Sequence, residues 1–483
     1  MPLFGGDYAP SSPDQAWNPP RLGEYEQELA SLQTHSDASR VAVDSEKIYD
    51  LPALIDLAER SHPETRGAWE RARQAAAAVG LAQSTYYPYL AASAAAGYER
   101  AFVPFPELQL GPAPTAVSIK GGGTLTTEAA AEGGALNLKW LLFDFGERKA
   151  AVTEAREKLM MANVSFNAIH QKIVFDVTQR FYEFDAARQK VATAESSLSA
   201  AQTVAEAAQL RLTNGLATKP EALQAEQQEA QAAFDLAAAR GGLGDARVAL
   251  GESLGIMPTT KLQVAAAPEK LPAENLDDSL AALMDRALSQ RPDLVARLAD
   301  VRASRAEIKK VRAEYYPKVS LGAKAGISEL DVRAGSSPFF GGNERVYGVG
   351  LAIDLPIFDG FARTKKLSIA ESELNAAESE LAGARDQVVR EVWKAYTDFK
   401  TAFYQQDSAE KLLSASQGAF DASLEAYRQG LGTYVDVVNA QRNLAVARGV
   451  MVDTRAAIFT SRTALALSIG GLAQPVSANP IPR

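Results

Sequence analysis

The 483-residue chain carries 50 Lys and Arg against 59 Asp and Glu, a net charge of −9 that gives no broad electrostatic attraction for nucleic acid, which is not an expected partner. Cysteine is absent, which removes disulfides, thiolate nucleophiles and Cys-based zinc sites, and His35, His62 and His170 lie too far apart for a short metal-ligand spacing. No run of about 18 uncharged apolar residues marks a transmembrane helix, and the alanine-rich, aromatic-poor composition predicts long helices rather than several globular cores.

In chain order, Pro2, Pro10, Pro13, Pro19 and Pro20 forbid a helix over residues 1–20 and predict an extended leader, loop-like up to about Lys47. No basic region followed by an apolar stretch marks a secretory signal. A helical pattern begins near Leu51 with Pro52 early in it, runs through Arg60, and resumes after His62-Pro63 toward Ser84. The matching pattern further on runs from about Ser279 to Glu314. Tyr86-Tyr87-Pro88 and Tyr315-Tyr316-Pro317 end the two, because proline disfavours helical geometry in the residue before it.

After each Tyr-Tyr-Pro the period changes to two. Val319, Leu321, Ala323, Ala325 and Ile327 alternate with Lys318, Ser320, Gly322, Lys324, Gly326 and Ser328; Tyr347, Val349, Leu351, Ile353 and Leu355 repeat the pattern, as do Leu136, Leu138, Trp140 and Leu142. Tyr89 to Glu99, rich in alanine, completes four strands of about ten residues. Gly-, Ser- and Pro-rich connectors, Pro104 to Gly134 and Arg333 to Arg345, are expected to be long mobile loops in two hairpins. Long helices follow from about Glu147 to Leu212 and Ala362 to Arg428, each near 100 Å at about 1.5 Å per residue. Gly215 and Gly430 end them, and the chain turns back toward Gly255 and Gly470.

The order repeats. Phe143-Asp144 returns as Phe358-Asp359, Asn214-Gly215-Leu216 as Gln429-Gly430-Leu431, and Ser253-Leu254-Gly255 as Ser468-Ile469-Gly470, all at a shift of 215 residues. Ser61-His62-Pro63-Glu64 and Gln290-Arg291-Pro292-Asp293 correspond at a shift of 229, like the two Tyr-Tyr-Pro junctions. Tandem duplication of a multi-element module follows. The expected division is an extended leader (1–47), a first repeat (48–256, β-hairpin 88–143), an equatorial linker (257–278), a second repeat (279–470, β-hairpin 318–357) and a tail (471–483).

Four strands with one apolar face each match tilted bilayer-crossing strands, yet four cannot close a barrel and lipid cannot satisfy an open sheet edge. Other copies must complete the wall, and three copies give twelve strands. The predicted fold is mainly α with membrane β, four strands per protomer completing a trimeric twelve-stranded β-barrel continuous with a long α-helical barrel. Tyr86, Tyr87, Phe143, Tyr315, Tyr316 and Phe358 at the strand ends read as a membrane-interface girdle, or alternatively as core anchors at strand-helix junctions.

These residues together, the Tyr-Tyr-Pro junctions, Phe143-Asp144-Phe145-Gly146, Phe358-Asp359-Gly360 and Gly430-Leu431-Gly432-Thr433 in duplicated order, resemble the TolC-like outer membrane efflux proteins over nearly the whole chain beyond about residue 48. The resemblance implies a homotrimeric channel-tunnel in the Gram-negative outer membrane with a long periplasmic extension. It also implies a periplasmic adaptor (a membrane fusion protein) and an inner-membrane pump as partners, outer membrane lipid around the barrel, and no cofactor. The leader Asp7-Tyr8-Ala9-Pro10 with Trp17 looks like the drug and metal efflux branch, although the lipidated Cys common there has no counterpart.

In a tube the working chemistry is charge and width at the constriction. Glu221 and Asp436, related by the 215-residue shift, match positions where the family carries aperture acids; six carboxylates around one axis would favour cations. The alternative reading of each is a first-turn acid suited to the helix dipole, which Pro220 makes the more attractive for Glu221. Asn439 stands one turn after Asp436, at a position that can be acidic in the family. By the same resemblance Tyr427 and Arg428 would hold the tip closed, while Gly432 stands where some members have a gating Arg. The turns at Gly215 and at Gly430, Leu431, Gly432 and Thr433 are candidate adaptor contacts. No Ser/His/Asp cluster, phosphate loop or metal motif supports an enzyme or a metal site. A type I protein-secretion outlet of the same fold is the alternative function, and a soluble periplasmic coiled-coil adaptor accounts for the rods but not the strands.

Overall fold

The computed structural model describes residues 21–38, 43–104, 108–110, 117–119, 123–257, 259–268, 279–334 and 337–471. The predicted leader over 1–20, most of the linker's second half and nearly all of the tail lie outside the described residues.

The first helix, α1 (Leu22–Ala38), corrects the expectation of loop up to Lys47. Past Pro20 the Glu, Leu, Ala and Gln content favours helix, and Leu22, Tyr25 and Leu29 recur at helical spacing. Strand β1 (Ile48–Tyr49) leads into α2 (Leu51–Ser61), capped by Asp50, which accepts the Ala53 amide at 3.0 Å. His62 is extended before Pro63, which breaks the pattern and starts α3 (Pro63–Ser84). Then come β2 (Tyr89–Pro104), β3 (Leu108–Leu110), β4 (Val117–Ile119) and β5 (Thr124–Phe143), followed by α4 (Glu147–Thr213) and α5 (Lys219–Ser253). The second half runs β6 (Gln263–Val264), α6 (Leu280–Gln290), α7 (Pro292–Ala313), β7 (Lys318–Ala334), β8 (Ser337–Asp354), α8 (Ala362–Arg428) and α9 (Tyr434–Ser468). Both α4 and α8 have 67 residues, and both α5 and α9 have 35. Among the described residues no helix is long and apolar enough to cross a membrane.

The four main strands have 16, 20, 17 and 18 residues, nearly twice the expected length, and they absorb much of the predicted loops. Pairing continues to Pro104 opposite Thr124 and to Ala334 opposite Ser337. The ladder is made of backbone groups, so it extends past the apolar alternation that reveals a strand in sequence.

The chain divides into two compact units, one of Met1–Trp69, Ser165–Asp293 and Arg385–Arg483, the other of Glu70–Val164 and Leu294–Ala384. In the second unit the sheet order is β2-β5-β7-β8, antiparallel throughout. One face is apolar, with Val349 and Ile353 of β8 left 76% and 74% exposed. The opposite face is Gly-, Ala- and Ser-rich.

In the first unit Val204, Ala208, Ala225, Phe420, Tyr427, Tyr434, Val437 and Leu444 form one core between α4, α5, α8 and α9. Alanine at many of these contacts lets helices approach closely. A second anchor joins the helix breaks to the helix ends. Ser61 Oγ donates to the Leu254 carbonyl at 2.6 Å, and Arg291 bonds Glu391 at 2.5 Å and the Ser468 carbonyl at 3.3 Å. Asp185 of α4, buried, accepts from Arg188, from Gln189 at 2.6 Å and from the Ala267 amide at 3.2 Å, beside the parallel pair β1-β6.

Candidate gate at the helix turns

Two turns of the first unit repeat one design. At Gly215, with φ of 70°, the Leu216 amide donates to the Arg211 carbonyl at 2.8 Å; at Gly430, with φ of 76°, the Leu431 amide donates to the Ala426 carbonyl at 2.8 Å. Glycine is required because the left-handed conformation closes the orphan carbonyls of the preceding helix. Leu216 and Leu431 project outward, Leu431 81% exposed. Gly432 is small for a steric reason: a Cβ there would sit 3.2 Å from the Ala426 Cβ.

Threonine then starts each returning helix. Thr433 and Asp436 form a reciprocal cap, the Thr433 amide and hydroxyl donating to Asp436 Oδ2 at 3.1 and 2.6 Å, and the Asp436 amide donating back to Thr433 Oγ1 at 3.3 Å. Those donated bonds hold the Asp436 carboxyl below the usual carboxylate range. At the other turn Glu221 accepts the Thr218 amide at 3.2 Å. Asp436 is exposed and Glu221 half-buried, so both carboxylates cap helices while presenting charge outward. Asn439 is also part of this surface, one turn along α9.

Tyr427 does not face outward: it is 2% exposed, edge-on to Tyr434 with ring centroids 6.2 Å apart. Burial raises its phenol pKa, Arg211 opposing and Glu221 reinforcing. Arg211 of α4 lies 4.7 Å over the Tyr427 ring and donates from Nη1 to the Tyr427 carbonyl at 2.8 Å and from Nη2 to the Leu216 carbonyl at 3.3 Å. Arg211 therefore ties the end of α4 to the end of α8, a role with no signal in the sequence because its partner lies 216 positions away. Arg428 is exposed and makes no hydrogen bond or ion pair among the described residues.

The strand-end aromatics belong to the second unit. Arg148 lies 4.6 Å over Tyr86 and Arg363 5.1 Å over Tyr315; Trp140 Nε1 donates to the Tyr86 carbonyl at 2.9 Å. Phe145 stacks on Tyr316 at 5.1 Å and meets Phe143 edge-on at 4.7 Å, and Phe358 meets Phe361 at 5.6 Å. Tyr87 and Phe358 are exposed. Under the rings, Arg148 bonds Asp144 at 2.8 Å and the Leu141, Leu142 and Thr85 carbonyls, and Arg363 bonds Asp359 at 2.7 Å and the Glu314 carbonyl. Sequence reasoning missed both arginines, although they share the 215-residue shift of the Phe-Asp pairs beside them.

The family model described as outer membrane efflux protein matches residues 54–256 and 283–471. The chain belongs to the outer membrane efflux protein family. It is 29% identical over 433 residues to Protein CyaE of Bordetella pertussis, covering 89% of this chain and 86% of that one. It is 25% identical over 335 residues to the outer membrane efflux protein BepC of Brucella suis, covering 69% and 71%. The crystal structure of the outer membrane protein VceC from Vibrio cholerae superposes with a TM-score of 0.69 at 21% identity, over 87% of this chain and 96% of that one. The fold is thus that of the trimeric TolC-like channels, mainly helical with four antiparallel strands. The protein is an outer membrane efflux channel with a periplasmic helical extension, in a family that is not enzymatic.

Proposed function

We propose that the chain is the passive exit duct of a tripartite efflux system for small molecules, drugs or metal ions, working as a homotrimer with a periplasmic adaptor and an inner-membrane pump. In this reading residues 48–256 and 279–470 are the two repeats, 1–47 and 471–483 the flanking segments and 257–278 the linker between the repeats. The turns at Gly215 and at Gly430 to Thr433 form the gate and the adaptor contacts, with Tyr86, Tyr87, Phe143, Tyr315, Tyr316 and Phe358 at the membrane interface.

One observation carries the gate: Glu221 and Asp436 occupy the same third position of helices that begin at two equivalent glycine turns. Three copies bring six such carboxylates to one end of the helical unit, with Asn439 beside them, where like charge attracts cations and resists collapse. The Arg211 clasp on Tyr427 holds two helix ends of one protomer together, and opening requires the clasped pairs to move or part. Arg428, exposed beside it, is available to a neighbouring copy.

Planar-bilayer recording tests this reading. Asp436→Ala is expected to raise the resting conductance and weaken cation preference; the absence of both changes would remove Asp436 from the aperture. Cross-linking from Leu431 in cells is expected to capture an adaptor belonging to a small-molecule pump, and capture of a protein-secretion pump would favour the alternative outlet.

A further inference from the structure

The strand register assigns each residue of the four-stranded sheet to one of two faces. On the apolar face Leu136, Ala325 and Tyr347 align across β5, β7 and β8, as do Leu138, Ala323 and Val349. On the other face Lys139 pairs opposite Tyr89 and Gly322, and Lys324 opposite Asn137 and Gly348. The two lysines are diagonal neighbours, roughly 7–8 Å apart at their Cα atoms.

In a closed barrel the polar face of each strand turns to the bore, which makes this second face the inner one. A Cβ at Gly133 would come within 2.8 Å of the Ile327 carbonyl and 3.0 Å of the Ser328 Cβ, and one at Gly326 within 2.9 Å of the Ala135 Cβ. A hollow of about 480 Å³ runs past Ser93, Gly133, Lys324 and Gly326 of this face and Glu132 and Ile327 of the other. Asn137 Nδ2 donates to Ser93 Oγ at 3.2 Å on the same face, which is therefore polar.

Neither lysine is buried, and among the described residues neither has a hydrogen-bond or ion-pair partner. The carboxylates that share their face lie elsewhere along the strands. Asp354 pairs opposite Lys318, itself bound to Glu147 at 2.5 Å; Glu344 pairs opposite Ser328, four residues from Lys324 and roughly 13 Å along the strand; and Glu99 pairs opposite Ala129, ten residues along β5 from Lys139. A lysine serving only structure would be paired, or would reach out to an interface. Their cross-strand neighbours are Tyr89, Asn137, Gly322 and Gly348, none of them charged.

We propose that Lys139 and Lys324 form a belt of positive charge in the bore of the barrel, six ammonium groups in the trimer, which holds anionic solutes there and partly offsets the cation preference set at the helix turns. The inference rests on the channel reading. A low-dielectric wall with charge of one sign concentrates counter-ions, and a glycine-lined row leaves that charge facing the water column.

The test uses the purified full chain in planar bilayers under a KCl gradient. The double variant Lys139→Gln/Lys324→Gln is expected to lower the chloride-to-potassium permeability ratio about threefold and to raise the concentration of inorganic polyphosphate needed to block current severalfold, while Lys139→Arg/Lys324→Arg keeps both near the parent. The single Lys324→Gln, which removes half the belt, is expected to fall between. A conducting, trimeric Gln variant with parental permeability ratio and parental block overturns the belt. A parent chain that never conducts removes the channel reading itself, a different result from conduction without selectivity.

Discussion

Arg211 and Tyr427 meet where α4 and α8 end, the guanidinium 4.7 Å above the ring and its Nη1 2.8 Å from the carbonyl of the same residue. One side chain thus holds ring and backbone together. Arg211→Ala is expected to cost about 1–2 kcal/mol locally, from a lost cation–π contact and the loss of a charged donor to a carbonyl that keeps only the Gly430 amide at 3.1 Å. Hydrogen exchange at the amides around residues 205–216 and 427–434 should accelerate, and single-channel conductance should rise. Unaltered exchange there would show that the clasp holds nothing.

The Thr433–Asp436 cap separates two roles of one carboxylate. Thr433→Ala removes the hydroxyl bond but keeps the charge, whereas Asp436→Asn removes the charge. A modest drop in melting temperature with intact cation preference is expected for the first, and a weakened preference for the second, since Glu221 keeps its charge. Because Thr433 donates to Asp436 and depresses its pKa, ionisation favours the folded state: this stabilisation is present above the usual Asp pKa of 3.8 and fades as pH falls through the lower folded value. Cation preference is accordingly expected to survive acidification below 3.8 in the parent and to be lost at higher pH in Thr433→Ala, measured by reversal potential across a pH series.

Glu154 in α4 bonds Lys158 at 2.6 Å and Lys310 of α7 at 2.9 Å. Burial alone would raise its pKa, but the lysines bring it down to about 2, while burial pushes the neighbouring Glu307 up against the pull of Lys310. The depressed Glu154 contributes stability above its ordinary 4.5 that disappears as pH falls toward 2; the raised Glu307 contributes in the opposite sense, favouring the fold at acid pH. Lys310→Met should cost about 1–3 kcal/mol at neutral pH by leaving two carboxylates face to face, and should flatten the acid limb between 4.5 and 2. Circular dichroism melts in detergent across pH check both.

Two left-handed glycines differ in their surroundings. A Cβ added at Gly215 would meet nothing within 4 Å, but at Gly255 the same atom would meet the His62 Cα at 3.0 Å and the Ser61 carbonyl at 3.2 Å. Gly215→Ala is expected to cost about 1 kcal/mol and Gly255→Ala about 2–4 kcal/mol. Equal losses in thermal melts would contradict the close approach of α2 to the end of α5.

The long helices were legible because Phe-Asp and the turn glycines bracket them at matching positions in both halves, and β7 and β8 because apolar residues alternate cleanly. Strand length was not legible, since Thr124 to Gly134 and Ser337 to Arg345 hold their places by backbone pairing and carry little alternation. The helix at Leu22–Ala38 was hidden behind five prolines that end just before it. At the turns, Glu221 and Asp436 were found by the internal shift, and the structure adds that both are caps. Arg211 was beyond reach, since a contact spanning 216 positions leaves no local pattern, but Arg148 and Arg363 were available to anyone who followed the 215-residue shift four residues past Asp144 and Asp359.

Strands β2 and β8 lie outermost in the sheet, so each keeps one side without a ladder partner among the described residues of its own chain. Lipid cannot solvate those amides, which couples completion of the fold to meeting another molecule. Mass action then governs stability: diluting the protein in detergent should lower its melting temperature, and a value quoted without the protein concentration describes no single state of the molecule.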